Sequence, residues 1–329
     1  MSQPFEPAAV IPVGSLILVT GANGVRGVVR DLERCEHVKA FFGNKYGPDG
    51  RFEMVQVPNL MADGAFDAAV KGCAGFVHFA VDNSFVPDPE VVVKGSIALT
   101  MRALEAAAKE PGLKRFVLTS SYITACQYRV GEVYQVTQDT WNDDFVAKAW
   151  TLPPDAPERS LCTYGAAKVE CEKAMWKFVK EKKPNFVANA VLPDFVTGAS
   201  MPHPKANVGP MSFALEALWS GGESWKFLGP QWMIDAEDTS LLHLGALLHP
   251  EYRGERIFGC AHRKNWTDWI ARLRKMYPNH QFPDPPEEEG ENMEIIVDRP
   301  RAEALLQWAS KAGFRPMEES IKEVFDTMT

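Results

Sequence analysis

The stretch Leu16-Ile17-Leu18-Val19-Thr20-Gly21-Ala22-Asn23-Gly24-Val25-Arg26-Gly27-Val28-Val29-Arg30 decides how the rest of the chain is read. Its first half is an apolar run of β-formers, which predicts a buried strand. The run breaks at glycines, where bare backbone can approach a phosphate. Gly21, Gly24 and Gly27 resemble a dinucleotide fingerprint, yet the whole stretch is only 15 residues. A βαβ unit runs to about 30 residues or more, so there is no room for a first helix. The second strand then starts at Val25, and Gly27 belongs to it. Two arrangements follow. A tight hairpin through Asn23-Gly24 makes the second strand antiparallel and moves Arg30 away from the ligand end. Alternatively, residues 1–15 or 31–46 cover the face that the helix leaves bare.

Working outward, the sequence predicts short helices over 31–46 and 66–71, strands over 52–57, 75–80, 115–119 and 186–192, and long helices over 89–109 and 164–182. Residues 122–163 read as irregular. Further helices are expected within 232–248 and over 266–276, 302–312 and 317–328, with a strand over 255–260. Strands alternating with helices imply a doubly wound parallel sheet, whose ligands lie beyond the carboxyl ends of the strands. The residues that follow the strands are Gly21, Arg30, Asn59, Ala80, Ser121 and Pro193.

Composition narrows the function. The 329 residues are 46% hydrophobic and 24% charged, with formal net charge −8. No basic run favours nucleic acid or an anionic membrane. No apolar run reaches the ~18 residues of a membrane span, and no signal peptide is visible at the N-terminus. A cytoplasmic protein is expected. The six cysteines are scattered without metal-ligand spacing and read as reduced thiols. No metal site is expected: His78 sits in an apolar strand, and His243 and His249 have no carboxylate at ligand spacing.

The sharpest chemical signal is Tyr164-Gly165-Ala166-Ala167-Lys168. Residues four apart share a helix face, and an ammonium beside a phenol favours phenolate, lowering a pKa that starts near 10. That suits a general acid. Ser120-Ser121 at a strand end can hold a carbonyl oxygen while the tyrosine protonates it.

With Lys114-Arg115-Phe116-Val117-Leu118-Thr119-Ser120-Ser121, Tyr164 to Lys168, and Asn189-Ala190-Val191-Leu192-Pro193-Asp194-Phe195, the chain resembles the extended short-chain dehydrogenase/reductases. Within them it is most like the fungal NADPH-dependent aldehyde and ketone reductases related to dihydroflavonol reductase. The resemblance covers nearly the whole chain. It implies a Rossmann-type cofactor domain over 1–195, rejoined by 233–262, and a substrate lobe from 196–232 and 263–329. It implies Tyr164 as general acid, Lys168 on the nicotinamide ribose and Ser121 on the carbonyl. The cofactor contacts are Gly21, Asn23, Gly24, Arg30, Arg34, Asn59, Leu60, Ala80, Tyr164, Lys168, Pro193 and Val196. Arg30 and Arg34 favour NADP(H), because guanidinium is the better phosphate fork. Asn59, Val81 and Arg102 depart from the family pattern. Phe85, Tyr122, Phe195 and Trp232 form an apolar substrate set, which suits a hydrophobic aldehyde, ketone or keto ester, with a monomer or homodimer expected. Two other readings stand beside a carbonyl reductase. One is an epimerase or dehydratase of the same superfamily; a dehydratase-type site typically adds an acidic residue after Ser120-Ser121, where Tyr122-Ile123-Thr124 stands. The other is a homologue that has lost cofactor binding with its first helix.

Overall fold

The computed structural model describes residues 9–20, 26–46, 52–82, 84–126, 129–198 and 210–328. Its strands are β1 (Leu16–Thr20), β2 (Arg26–Val29), β3 (Glu53–Gln56), β4 (Cys73–His78), β5 (Arg115–Thr119), β6 (Gln135–Val136), β7 (Val187–Pro193), β8 (Phe195–Thr197), β9 (Gln231–Asp235), β10 (Arg256–Gly259), β11 (His262–Lys264) and β12 (Ile295–Ile296). The helices are α1 (Glu36–Tyr46), α2 (Pro89–Lys109), α3 (Asp143–Thr151), α4 (Arg159–Lys182), α5 (Pro210–Ser220), α6 (Ala236–Leu248), α7 (Trp266–Met276), α8 (Arg299–Trp308) and α9 (Met317–Phe325). Among the described residues none is long and apolar enough to cross a membrane.

The chain forms two compact units. The first comprises Met1–Ala125, Trp141–Leu192 and His243–Ile257; the second comprises Cys126–Thr140, Pro193–Leu242 and Phe258–Thr329. The main sheet runs β10-β7-β5-β4-β1-β2-β3. From β3 across to β7 every neighbouring pair is parallel.

β1 and β2 are parallel, with Leu18 opposite Arg26 and Thr20 opposite Val28. This corrects the antiparallel hairpin expected as one outcome. Only residues 21–25 separate the two strands, against the dozen or more of a helical crossover. Gly27 is a buried β2 residue, opposite Val19. Arg26 secures the opposite end of the strand pair. Its guanidinium donates to the carbonyls of Ala69 (2.8 Å) and Lys71 (2.9 Å), and its Nε donates to Glu53 (2.5 Å). Those carbonyls therefore do not continue a helix, and 66–71 is a set of turns closed by left-handed Gly64 and Gly72, not the short helix expected there.

α2 matches its predicted limits because its ends are encoded locally. Asp88 caps it by accepting from the Glu90 N–H (3.0 Å), and Pro89 fills its first position. α4 starts at Arg159, earlier than expected. The stretch read as irregular contains α3, capped by Asn142, whose side chain accepts from the Phe145 N–H at 3.2 Å. α3 and the turn Tyr122–Thr124 press closely on α4 at Gly165. A Cβ there would lie 2.5 Å from Phe145 Cδ2 and 3.3 Å from Ile123 Cδ1. The helix-propensity gain of losing a glycine is about 1 kcal/mol, less than the upper range of overpacking, about 3 kcal/mol. Gly165→Val is expected to destabilise the protein by about 2 kcal/mol, read as a lowered denaturation midpoint at unchanged m-value.

The segment His243–Ile257 completes the first unit. Buried Arg115 donates to the carbonyls of Tyr252 (2.8 Å) and His249 (2.9 Å). Buried Asn189 donates to those of Ala246 (2.8 Å) and Tyr252 (3.0 Å).

The second unit carries β8-β9-β11 and the pair β6-β12. Its core gathers Phe195, Trp225, Trp266, Trp269, Leu273, Ile321 and Phe325. Asn265 caps α7 through the Asp268 N–H (2.7 Å), and Glu289 accepts from the N–H groups of Trp266 (2.5 Å) and Thr267 (2.8 Å). Lys264 is 1% exposed and its Nζ has no hydrogen-bond partner. The nitrogen instead faces rings, 3.3 Å from the centre of Trp266, 4.8 Å from Phe195 and 5.4 Å from Trp269. Burial pushes its pKa down to about 7.

Candidate active site

After β3 the chain returns to place β4 beside β1, so the sheet's switch point lies between these two strands. The polar groups at their carboxyl ends are joined. Thr20 Oγ1 lies 2.8 Å from His78 Nδ1 and accepts from the N–H groups of Phe79 (3.2 Å) and Ala80 (3.4 Å). With both amides on its oxygen, the Thr20 hydroxyl is left to donate to the imidazole. His78 is fully buried among Phe66, Phe76 and Phe116. Burial, reinforced by the Lys168 charge, holds its pKa down to about 3, so it is a neutral core residue.

α4 brings Tyr164, Lys168 and Glu172 to one face at four-residue spacing. Lys168 is 5% exposed, and its Nζ donates to the Thr119 carbonyl at the end of β5 (3.0 Å). The same nitrogen lies 6.0 Å from the centre of the Tyr164 ring. Burial pushes the Lys168 pKa down to about 8, against the opposing charges of Cys171 and Glu172. Tyr164 is half-buried and stacks on Phe85, with ring centres 4.9 Å apart and planes at 26°. Phe85 has φ +55°, a left-handed conformation that is rare for a bulky aromatic residue. Ser121 is half-buried and caps the turn Tyr122–Thr124, its Oγ accepting from the Ile123 N–H at 3.4 Å. A small cavity of about 10 Å³ is lined by Ala80, Thr119, Ser120, Lys168 and Cys171, among others.

Sequence reading missed three residues that hold this arrangement. Glu172 is fully buried. Its Oε2 accepts from Ser120 (2.6 Å), and its Oε1 accepts from Arg256 Nε (2.6 Å) and Trp176 Nε1 (3.1 Å). His243 Nε2 lies 2.7 Å from Thr119 Oγ1, and the ring stacks on Phe79 at 4.7 Å. Only the spacing of Glu172 from Lys168 was visible beforehand; Arg256 and His243 reach this region from far along the chain.

The cofactor residues expected from sequence are distributed as follows. Gly21, Asn23 and Gly24 lie outside the described residues. Arg30 is exposed at the carboxyl end of β2, the same end of the sheet as Thr20 and Ala80, because the strands are parallel. Arg34 is exposed in a 3₁₀ turn, its N–H donating to Asp31 at 3.2 Å. Asn59 is exposed and its side-chain oxygen accepts from the Met61 N–H (3.0 Å), while Leu60 is half-buried. Pro193 and Val196 belong to the second unit, buried and half-buried respectively.

Of the expected substrate residues, only Phe85 keeps exposed surface. Tyr122 and Phe195 are fully buried. The Phe195 ring packs edge-on against Trp266 and Trp269. Trp232 is also buried, its indole N–H donating to Glu294 at 3.1 Å. Among the described residues no group of His, Cys, Asp and Glu could hold a metal ion.

Over 98% of both chains, the sequence is 37% identical to aldehyde reductase 2 of Sporidiobolus salmonicolor. The chain belongs to the extended short-chain dehydrogenase/reductase family. The NAD-dependent epimerase/dehydratase terH of Aspergillus terreus is 33% identical over 97% of this chain and 98% of its own. No family model matches the sequence. The reductase fold is shared with a crystal structure of yeast methylglyoxal/isovaleraldehyde reductase Gre2 complexed with NADPH, at TM-score 0.78 and 22% identity over 95% of this chain and 97% of that one.

Proposed function

We propose that the protein is an NADPH-dependent carbonyl reductase acting on a hydrophobic aldehyde, ketone or keto ester. The observation that carries this is the link from Lys168 to the Thr119 carbonyl. It joins the helix bearing Tyr164 to the strand end bearing Ser121. The family membership and the aldehyde reductase relative support the same reading.

The residues at the switch point suit an anionic dinucleotide. Exposed Arg30 directly follows β2, where a carboxylate would instead hold an NAD ribose, and the Arg30 fork suits a 2′-phosphate. When bound, NADPH supplies the hydride that becomes the new C–H bond of the alcohol. Ser121 holds the carbonyl oxygen through its hydroxyl. Tyr164 transfers its phenolic proton to that oxygen as negative charge develops there. The Lys168 ammonium stabilises the phenolate left behind and holds the cofactor ribose. Phe85 offers the substrate an apolar face. The first unit thus carries Arg30 together with the reacting side chains Ser121, Tyr164 and Lys168.

The short β1–β2 connection favours a second reading, a homologue that binds cofactor poorly. A crossover helix would aim its N-terminal amides at the pyrophosphate, and none fits in residues 21–25. Fluorescence titration with NADPH and NADH separates the two. The reductase reading expects NADPH to bind, and Arg30→Ala to weaken it roughly tenfold while leaving NADH unchanged, as for the loss of one charge-assisted phosphate contact. If neither nucleotide binds, the second reading stands. Turnover of an aromatic aldehyde by the wild-type protein then decides activity.

A further inference from the structure

We infer that Glu172, balanced by Arg256, is a positioning residue that holds Ser121 in register with Tyr164 and Lys168 by tying Ser120 and Thr124 to α4. The inference rests on the reductase reading above. The Ser121 hydroxyl has a long bond to the Ile123 N–H at 3.4 Å, so its place is set mainly by its neighbours in sequence. On one side, Thr119 is held by Lys168 and Ser120 by Glu172. On the other, Thr124 Oγ1 lies 3.0 Å from Glu172 Oε2 and 2.8 Å from the Ser121 carbonyl, its single proton serving either. It also accepts from Arg256 Nη2 at 2.9 Å. Arg256 is 4% exposed, and its guanidinium lies 4.0 Å from the centre of the Trp141 ring.

A buried ion pair is weak evidence for stability, since apolar residues of the same volume often serve as well. What it supplies here is geometry. Both Glu172 oxygens meet directional donors, and those from outside α4 tie the helix to Ser120 on one oxygen and to Arg256 of β10 on the other. Successive turns of one face of α4 therefore present the acid, clamp Thr119, and clamp Ser120 with Thr124. Reacting groups need placement to within about 0.5 Å, and an error of about 1 Å can lower the rate by about 10²-fold.

Two substitutions test this. Ser120→Ala removes one strut and leaves the ion pair intact; Glu172→Gln keeps the shape and removes the charge. Expected are falls in kcat of about tenfold and about 10²-fold respectively. The KM for NADPH should stay within about twofold, since binding common to ground and transition states is untouched. Amide exchange across residues 119–124 should quicken in both. If Glu172→Gln does not fold, because Arg256 is left unpaired, Ser120→Ala decides alone. Loss of kcat together with KM and thermal midpoint overturns the positioning role in favour of general support of the fold. Faster exchange with unchanged kcat also overturns it. A wild-type protein that binds NADPH and reduces no carbonyl overturns the reductase reading, and this proposal with it. A working wild-type enzyme indifferent to both substitutions overturns this proposal alone.

Discussion

Tyr164→Phe is expected to lower kcat for an aromatic aldehyde by about 10²–10⁴-fold, the usual contribution of a positioned general acid. The substitution keeps the aromatic ring and removes the hydroxyl. The Phe85 stack at 4.9 Å and the approach of Lys168 to the ring face at 6.0 Å involve the ring and not its hydroxyl. Folding and NADPH affinity should therefore be unchanged. Steady-state NADPH consumption, with fluorescence binding as the control, reads both quantities, and retained turnover would remove Tyr164 from the acid role. The wild-type pH profile provides a companion measurement. Burial pushes the Lys168 pKa down to about 8, so the ammonium that steadies the phenolate is present below that pH and fades above it. Reduction should slow as pH rises through about 8, on a limb that the phenylalanine variant lacks.

The second large effect is on stability. Lys264→Met is expected to stabilise the protein by about 1–4 kcal/mol at pH 7 or below, as replacement of a buried ionised group by an apolar side chain often does. Two opposing forces act on the Lys264 nitrogen. The π faces of Trp266, Phe195 and Trp269 favour the ammonium by about 2 kcal/mol. Desolvation of an ion costs several kcal/mol and wins. The folded pKa, about 7, is thus depressed below the ordinary lysine value of 10.5. Above pH 10.5 the amine is neutral in both states and there is no penalty. Between 10.5 and about 7 the unfolded chain holds a proton that the folded chain does not, so stability falls as pH falls. Below about 7 the full penalty is present and constant. Denaturant melts of wild type and Lys264→Met over this window should converge at high pH and separate as pH drops. A constant difference across the window would show that Lys264 does not titrate there.

Legibility in the sequence followed the range of the interactions involved. α2 and α7 could be placed to the residue because Asp88, Pro89 and Asn265 write their starts locally. β5 could be placed as a buried apolar run. The parallel pairing of β1 and β2 could not, since a five-residue connection favours a hairpin on local grounds and the order of the whole sheet overrides it. The turns at 66–71 look helical until Arg26, distant in sequence, takes the carbonyls of Ala69 and Lys71. α3 carried a legible signal in Asn142-Asp143-Asp144, masked by the prolines that follow it. At the site, Tyr164 and Lys168 share one helix and were visible as a pair. Glu172 sits on that same helix, but its partners Ser120 and Arg256 are set by tertiary structure. The full burial of Phe195 and Tyr122 was not legible for a related reason: an aromatic residue reads alike whether it lines a pocket or fills a core.

The return of His243–Ile257 to the first unit has a consequence for synthesis. Arg115, Asn189 and Glu172 are all buried by the finished sheet, and all take partners from this late segment. A nascent chain that has emerged only as far as α4 and β7 carries these groups without those partners, at roughly 1–3 kcal/mol for each unsatisfied group. Domains usually fold as units as they leave the ribosome, the amino-terminal one first. Here the amino-terminal unit cannot close until residue 257 is free, by which time Cys126–Thr140 and Pro193–Leu242 of the second unit have also been made. Premature termination anywhere before Ile257 should therefore yield no folded fragment, and chaperone contact during translation should persist until that residue clears the exit tunnel.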